Sequence, residues 1–556
     1  MRKSKYILFV ILLLAAFLRL YRLGSFPALN ADEAAIGYNA YSLIETGKDE
    51  HGNPWPVHFQ SFNDYKPGLY FYLVLPFVKY MGLNEWAVRL PGAILGVLTV
   101  LVVYFLVKEL FPEQKKFSIF TFQFSIGEIA ALFLAISPWH IHFSRGGWEV
   151  NVATFFITTG VWLFVKAIKK SQLYVLSFVF LVLSLYSYHA ARLIVPLLVL
   201  GLLVIYKKYR ILTQKWFIIG ALTGGLLLVP LGMDLAKGDV LSRAAGVGLF
   251  ADTGPLARIN EQRGEHGDFR SFPAKILHNK PINYGLAFLE NWAEHFWGEF
   301  LFLSGDDIQR NKVPETGQMY LFDIILVAVG IIFIVKKPKN LPAGRHGWAL
   351  IILWLGVAPI AAALTFQSPH ALRAQNMVIP LVIISAYGLA VIITWLGRQK
   401  KYLLVVGYWS LVIVIAWSFT QYLHMYWVHM AKEYPFSSQY GAKELVSFVK
   451  EKQGEYKKVI VTDRYDQPYI LFLFYLKYPP EQFQKEHFLT ARDRFGFSTV
   501  RNFDRYRFRT IDFDVEKPEN PNSLIVGTDE DIPNEANIIK EIYFPSGEVA
   551  FKIVAN

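Results

Sequence analysis

Two adjacent carboxylates, Asp32 and Glu33, stand soon after the first apolar run, in a polar stretch from Asn30 to Gly68 that closes on Lys66-Pro67. A carboxylate at a membrane surface can take a proton from a hydroxyl or hold a divalent ion. A lysine at the other end of the same loop can hold phosphate as a point charge, or simply snorkel to the interface. The bland alternative for the acidic pair is a solvated loop that caps a helix over Ala34–Ile44. Three further stretches carry ionisable groups. Ser137–Glu149 holds His140, His142, Arg145 and Glu149 between two apolar runs. Its histidines sit beside Trp139 and Trp148 and read as interfacial packing. Arg145 and Glu149 are four apart and could pair on one helical turn, yet an ionisable residue at a span boundary is a functional candidate. Ser368–Arg373 brings His370 and Arg373, either a phosphate clamp or a helix-end anchor, and Ser304–Arg310 is a polar, glycine-bearing segment that also reads as a turn.

These residues need a frame, and the composition says which. Over 556 residues, 54% are hydrophobic and 18% charged, and mean hydropathy is +0.31. A soluble chain of this length carries more charge. Many runs approach the roughly 20 apolar residues that cross a bilayer, so the fold class is an α-helical polytopic membrane protein. The net charge of +12 comes largely from short basic clusters between apolar runs, a positive-inside pattern that argues against nucleic acid as a partner. With no cysteine, the chain has no disulfide, thiolate metal site or cysteine nucleophile.

The basic clusters also set the orientation. Arg2, Lys3 and Lys5 precede the first apolar run, which lacks a small-x-small cleavage site and reads as an uncleaved first span over 6–23. Leu69–Met81 is apolar but only about 13 residues long, which suits a juxtamembrane or re-entrant helix. Treating it as non-spanning puts five clusters on the inside: Lys108 with Lys115 and Lys116; Lys166 with Lys169 and Lys170; Lys207, Lys208 and Arg210; Lys336, Lys337 and Lys339; Arg398, Lys400 and Lys401. The other spans are then 86–109, 117–137, 150–168, 172–190, 192–206, 215–233, 319–336, 347–366, 374–396 and 402–420. About eleven helices result, with a cytoplasmic N-terminus and an outer C-terminus.

The transmembrane module covers 1–425, with outer loops at 24–85, 138–149, 234–318 and 367–373. All four polar stretches fall on the outer side. The tail, 430–556, changes character. Val459–Thr462 and Ser523–Val526 read as buried strands and Gly441–Lys452 as an amphipathic helix, which predicts a small extracytoplasmic α/β domain.

The order of these signals resembles the GT-C glycosyltransferases, in the branch of protein O-mannosyltransferases and lipid A aminoarabinose transferases. That branch has an acidic pair soon after the first helix, here Asp32–Glu33. It has a Lys-Pro-Pro-type element before a short apolar helix, here Lys66-Pro67-Gly68, with glycine for the second proline. It enters its second span through an "NE-x-A-x-R-x-P" pattern, here Asn84-Glu-Trp-Ala-Val-Arg89-Leu-Pro91, and carries "SP…SR…acid" before the fourth, here Ser137-Pro138, Ser144-Arg145 and Glu149. The resemblance is strong over 1–165, looser over 300–380 and absent from the tail.

It implies transfer of a sugar from a polyprenyl-phosphate-linked donor to a hydroxyl of a lipid, protein or glycan acceptor. The reaction would take place outside the cytoplasmic (inner) membrane, with inversion at the anomeric carbon and with membrane lipids around it. It implies Asp32 as general base, with Glu33 and Glu149 supporting the site. Lys66 and Arg373 would hold the phosphate, with Arg145 and His370 as further lipid-phosphate candidates. A divalent cation, Mg²⁺ or Mn²⁺, suits Asp32 and Glu149 as ligands, though the branch does not require one. Two alternatives share the multi-span architecture. A transporter or flippase for lipid-linked glycans would place ionisable groups near the midplane in two related halves, which this sequence lacks. A surface-polysaccharide polymerase or ligase would not be expected to carry the acidic pair and Lys-Pro pattern.

Overall fold

The computed structural model describes residues 2–62, 64–112, 117–119, 122–237, 246, 248–336, 344–493 and 497–556. Lys115, Lys116, Lys337 and Lys339 of the inner basic clusters, and Asn63 beside the Lys66 element, lie outside the described residues. The chain is mostly helical. Among the described residues, six helices are long and apolar enough to cross a membrane: Glu85–Leu110, Glu149–Ala167, Lys215–Leu235, His346–Ala363, Ala371–Leu396 and Lys401–Glu433. A bent pair, Ile126–Ile136 with Pro138–Ser144, adds a seventh if it is one span. Shorter apolar helices cover Tyr6–Leu20, Leu69–Met81, Leu173–Leu185 and Ala191–Ile205.

Among the described residues the strands form three sheets. One hairpin pairs β1 (His58–Ser61) with β2 (Asp64–Pro67), and another pairs β3 (Phe117–Ile119) with β4 (Phe122–Phe124). The third sheet has six strands: β5 (Lys458–Val461), β6 (Asn502–Phe503), β7 (Tyr506–Phe508), β8 (Ser523–Gly527), β9 (Ile538–Tyr543) and β10 (Val549–Ala555). They lie in the order β6-β7-β5-β8-β10-β9.

The chain forms two compact units. The first comprises Met1–Arg19, Leu95–Ser144 and Glu149–Leu423; the second comprises Leu20–Ile94, Arg145–Trp148 and His424–Asn556. In the first unit, the sequence-derived span at 117–137 starts differently. Phe117-Ser-Ile and Phe122-Gln-Phe form the β3–β4 hairpin, and the helix begins only at Ile126. The reason is local. Apolar and polar residues alternate within Phe117-Ser-Ile119 and again within Phe122-Gln-Phe124, the period of a strand. Then Ser125 and Glu128 make a capping box that starts the helix. At its other end Pro138 opens a second helix at 58° to the first, so the expected outer loop at 138–149 begins with a buried helical turn.

In the second unit the tail supplies the mixed sheet. β5 is parallel to β7 and β8, while the β8–β10, β10–β9 and β6–β7 pairs are antiparallel. β5 and β8 are central and read as continuous apolar runs, as strands covered on both faces do. Ile460, Ile525, Val554 and Phe513 meet in one core cluster. Helix Ala442–Lys452 buries Leu445, Val446 and Val449, a stripe at helical spacing. The same unit ties the tail to the 24–85 segment. Tyr38 Oη donates to Tyr478 O at 3.0 Å, and Gln484 Nε2 donates to Ser42 Oγ, Thr46 Oγ1 and Asp49 O at 3.1, 3.1 and 2.8 Å.

Candidate active site

The acidic pair lies on helix Ala31–Thr46, which starts three residues earlier than the sequence suggests because Asn30 is its cap. Asn30 Oδ1 accepts from Glu33 N at 3.0 Å, and Glu33 Oε2 accepts from Asn30 N at 3.3 Å. This reciprocal box fixes the first turn. Adjacent residues on a helix point about 100° apart, so the two carboxylates meet different partners.

Glu33 turns inward and is 2% exposed. Arg89 Nε donates to Glu33 Oε1 and Arg89 Nη2 to Oε2, each at 2.6 Å, a bidentate fork. Gly147 N donates to the same Oε1 at 2.8 Å. Arg89 completes its set on Leu23 O, Pro27 O and Ala28 O at 2.9 to 3.0 Å. All five guanidinium donors are thereby used. Glu33 and Arg89 thus lock the first turn of this helix, the chain segment before it and the Arg145–Trp148 turn into one body.

Asp32 turns the other way, and its side chain is 27% exposed against 9% for Lys66. Lys66 Nζ donates to Asp32 Oδ1 in a short ion pair and lies 5.0 Å above the Phe62 ring. The β1–β2 hairpin places this lysine, pairing Phe59 with Lys66. Gly68 closes the hairpin's base. Its N–H donates to Val57 O at 3.0 Å, and a Cβ there would lie 2.7 Å from that oxygen. Proline, the residue more usual at this point of the motif, has no N–H to give.

Arg145, expected as a phosphate ligand, is buried. Its Nε donates to Tyr426 Oη at 3.0 Å, its Nη2 to Phe26 O at 3.2 Å, and its guanidinium lies 4.7 Å from the centre of the Trp427 ring.

Sequence reasoning passed over a further carboxylate in this unit. Glu50 is fully buried. Asn39 Nδ2 donates to its Oε1 at 3.2 Å, and Glu50 N donates to Asn39 Oδ1 at 2.9 Å. Burial pushes its carboxyl up to about 8; Asn39 opposes the shift, Asp49 adds to it and Lys66 opposes it. His51 beside it bonds His487 at 2.8 Å, and burial lowers it to about 3. In sequence, Lys48-Asp-Glu-His51 looks like a solvated charge run. The tail residues that bury it lie more than 400 positions away, so no local signal reveals it. Arg89 did have one, an arginine just inside an apolar span.

In the first unit three of the sequence signals meet. His142 Nε2 donates to Arg310 O at 2.9 Å, and Trp139 Nε1 donates to Ala371 O at 3.0 Å. Asp306 Oδ2 accepts from Ala371 N at 2.6 Å and from Asn311 Nδ2 at 3.1 Å, while Oδ1 accepts from Ile308 N at 2.8 Å. His370 Nδ1 is 3.7 Å from Asp306 Oδ2. His370 N donates to His295 Nε2 at 3.1 Å, and His295 Nδ1 donates to Asn291 O at 2.7 Å, so His295 is a neutral imidazole. Burial lowers its pKa to about 4. Arg373 Nη1 donates to Thr365 Oγ1 at 2.9 Å. His140 meets Arg19 Nη2 at 2.7 Å, and that guanidinium also holds Ala135 O and Leu134 O, buried carbonyls in the last turn of helix Ile126–Ile136. Glu149 opens helix Glu149–Ala167, where a carboxylate complements the helix dipole.

Among the described residues no group of three or more His, Asp or Glu side chains is set to hold a metal ion. Asp32, a candidate ligand, faces an ammonium instead, so its surroundings do not fit a resident divalent cation.

Residues 65–233 match the family model for dolichyl-phosphate-mannose-protein mannosyltransferase. The match takes in Lys66, Arg89, Arg145 and Glu149 and begins after the acidic pair. No curated protein matches the chain. Among solved structures, an oligosaccharyltransferase from Archaeoglobus fulgidus in the apo form matches with TM-score 0.51 and 14% identity, covering 98% of this chain and 74% of that one. ArnT from Cupriavidus metallidurans bound to undecaprenyl phosphate matches with TM-score 0.50 and 11% identity, covering 99% and 96%. The chain spans 63% of the length of the archaeal oligosaccharyltransferase AglB in its complex with an inhibitory peptide and a dolichol-phosphate, at TM-score 0.49 and 13% identity. The likeness to the first two is one of fold: the chain carries the GT-C fold and, over residues 65–233, is similar to the dolichyl-phosphate-mannose-protein mannosyltransferases.

Proposed function

We propose that this chain is an integral-membrane, GT-C-type glycosyltransferase that takes a sugar from a polyprenyl-phosphate-linked donor and joins it to an acceptor hydroxyl, with inversion at the anomeric carbon. The observation that carries this reading is the Asp32–Lys66 pair, a half-open carboxylate held against a lysine. Transfer needs both groups. The acceptor oxygen gives its proton to Asp32 as it attacks the anomeric carbon. The bond from that carbon to the phosphate oxygen breaks, and the electron pair leaves with the polyprenyl phosphate. Lys66, released from Asp32 as the carboxylate is protonated, then meets the phosphate charge. No step is routed through a metal. Glu33 and Arg89 act as positioning residues that fix the helix turn bearing Asp32. Glu149, Arg373 and His370 keep the supporting roles that the family resemblance gives them.

An undecaprenyl phosphate bound to a protein of the same fold supports a polyprenyl-phosphate donor. Among the described residues, the six to seven long apolar helices and the shorter Tyr6–Leu20, Leu173–Leu185, Ala191–Ile205 and Leu321–Lys336 support a multi-pass arrangement of about eleven spans. The basic clusters of the sequence support a cytoplasmic N-terminus and an extracytoplasmic tail with its α/β domain. The natural place is the outer face of a cytoplasmic membrane.

The test is release of sugar from synthetic polyprenyl-phosphate donors by purified protein, with Asp32→Asn alongside. Turnover lost in the variant is the expected result. Turnover retained there rejects Asp32 as the base. Movement of lipid-linked glycans in vesicles, with no turnover on any donor, would favour a transporter instead.

A further inference from the structure

Helix Lys280–Glu294, in the long outer segment of the first unit, is built inside out. Its buried positions include Asn283 and Tyr284. Ile282, Leu286 and Leu289 are 37%, 50% and 57% exposed. Their spacing of i, i+4 and i+7 puts them on one stripe, the stripe that a helix of a soluble domain buries. Just before it, Phe272 and Leu277 are also exposed, at 76% and 54%. Arg270, Lys275 and Lys280 are exposed beside them, and no carboxylate occurs from Phe269 to Leu289.

The level of this surface is fixed from behind. Trp292 Nε1 donates to Gly356 O at 2.9 Å, and Asn291 Nδ2 donates to Ala363 O and Thr365 O at 3.2 and 3.0 Å. These carbonyls belong to the last turns of the span His346–Ala363 and the residues just past it. By the charge-derived orientation this is the outer end of that span, where acyl chains give way to head groups. An apolar stripe with a basic flank at that level has the composition of an interfacial helix.

We propose that Phe269–Leu289 is a lipid-binding surface seated in the outer leaflet. Acyl chains cover Ile282, Leu286 and Leu289, and anionic head-group phosphates meet Arg270, Lys275 and Lys280. The charge favours anionic lipid, because Arg270, Lys275 and Lys280 outnumber Asp268 and Glu290, the two carboxylates that bound the stretch. The opposite face of the same helix holds the loop of His370, through Ser368 Oγ donating to Asn291 O at 3.0 Å. The surface rests on the membrane reading and not on the transferase reading, so either can fail alone.

The chain has no cysteine, so single labels are unambiguous. Leu286→Cys, Ile282→Cys and, as a control in helix Gly254–Gly264, Glu261→Cys would each carry a nitroxide in nanodiscs of phosphatidylglycerol and phosphatidylcholine. The expected result is preferential collision of the 282 and 286 labels with oxygen, and of the 261 label with a water-soluble nickel chelate. Nickel access at 282 and 286 equal to that at 261 overturns the proposal. So does shielding of those labels from both reagents, which would mean a protein partner or a second copy. Arg270→Gln, Lys275→Gln and Lys280→Gln together are expected to lower phosphatidylglycerol retained over phosphatidylcholine by about tenfold or more. An unchanged ratio overturns the head-group assignment.

Discussion

In the second unit, carboxylates of the site meet cations: Asp32 with Lys66, Glu33 with Arg89. In the first, Asp306 meets the backbone amides of Ala371 and Ile308, and the neutral His295 accepts the amide of His370. A backbone amide is fixed by the fold and cannot leave its acceptor without unfolding the segment. A lysine on a flexible stem can exchange one anion for another. The first arrangement is therefore a scaffold. The second contains one exchangeable pair, Asp32–Lys66, resting on one locked pair, Glu33–Arg89. Chemistry on a charged lipid needs the exchangeable kind, and this difference can be tested from its strongest consequence to its weakest.

The largest effect is expected from Asp32→Asn, which keeps shape and hydrogen-bonding capacity but not basicity. Sugar release should fall by about 10²–10⁴-fold, the usual contribution of general base catalysis. Thermal unfolding in detergent should move less than in an Arg89→Leu variant, because Asp32 is partly exposed and an asparagine oxygen can still accept from Lys66 Nζ. A large stability loss with modest loss of rate would make Asp32 scaffold and erase the contrast.

Next is Arg89→Leu, which leaves Glu33 buried without its cation. Stability should drop by about 3–5 kcal/mol, the cost of breaking a buried pair from one side. Glu33→Gln with Arg89→Leu should recover part of it, as read by thermal unfolding of the four variants in a double-mutant cycle. Full additivity would mean that the two side chains do not act as a unit.

Two buried groups, one in each unit, should also respond to pH with opposite sign. Glu50 is raised by burial from 4.5 to about 8. Between those values the folded chain holds a proton that the unfolded chain has lost, so stability falls as pH rises through that window. His295 is lowered by burial from 6.5 to about 4. Between those values the unfolded chain holds the extra proton, so stability falls as pH falls. Each slope is at most about 1.4 kcal/mol per pH unit. Glu50→Gln should flatten the alkaline side of a melting-temperature profile and leave the acid side. His295→Asn should do the reverse.

How much of this was legible beforehand follows from where each partner comes from. Asp32, Glu33 and Lys66 were visible because one loop carries them in a familiar order. The hairpin that holds Lys66 was not, since Asp64–Pro67 has no strand signature of its own. The β3–β4 hairpin was legible in its alternation but was absorbed into an apolar run. Glu50 was illegible because its burial depends on contacts such as Gln484 to Asp49 O and His487 to His51. The tail's strands β5 and β8 were legible as short apolar runs, while the hydrogen bonds that tie the tail to the 24–85 segment were not.

A smaller effect separates charge from shape at Glu149, at the head of its helix. Glu149→Asp keeps the carboxylate and should stay within about threefold of the parent rate, whereas Glu149→Gln should lose about tenfold or more, equivalent to roughly 1.4 kcal/mol. Equal sugar release by the two variants would remove Glu149 from the site.

The smallest effect on turnover concerns the hinge of the exchangeable pair. Gly68 has φ −81°, which proline can adopt, so Gly68→Pro restores the commoner motif without backbone strain. It removes the N–H that holds Val57 O, and the added ring carbons meet that oxygen at close range. The expected cost is about 1–3 kcal/mol of stability, from the unpaired Val57 carbonyl and the shift needed to make room for the ring. If Lys66 is placed by the hairpin, the same change should also raise the KM for a polyprenyl-phosphate donor with little change in kcat. A stability loss with KM unmoved would show that Asp32 alone positions the lysine. The exchangeable pair would then depend on the helix turn locked by Glu33 and Arg89 and not on the hairpin that carries its cation.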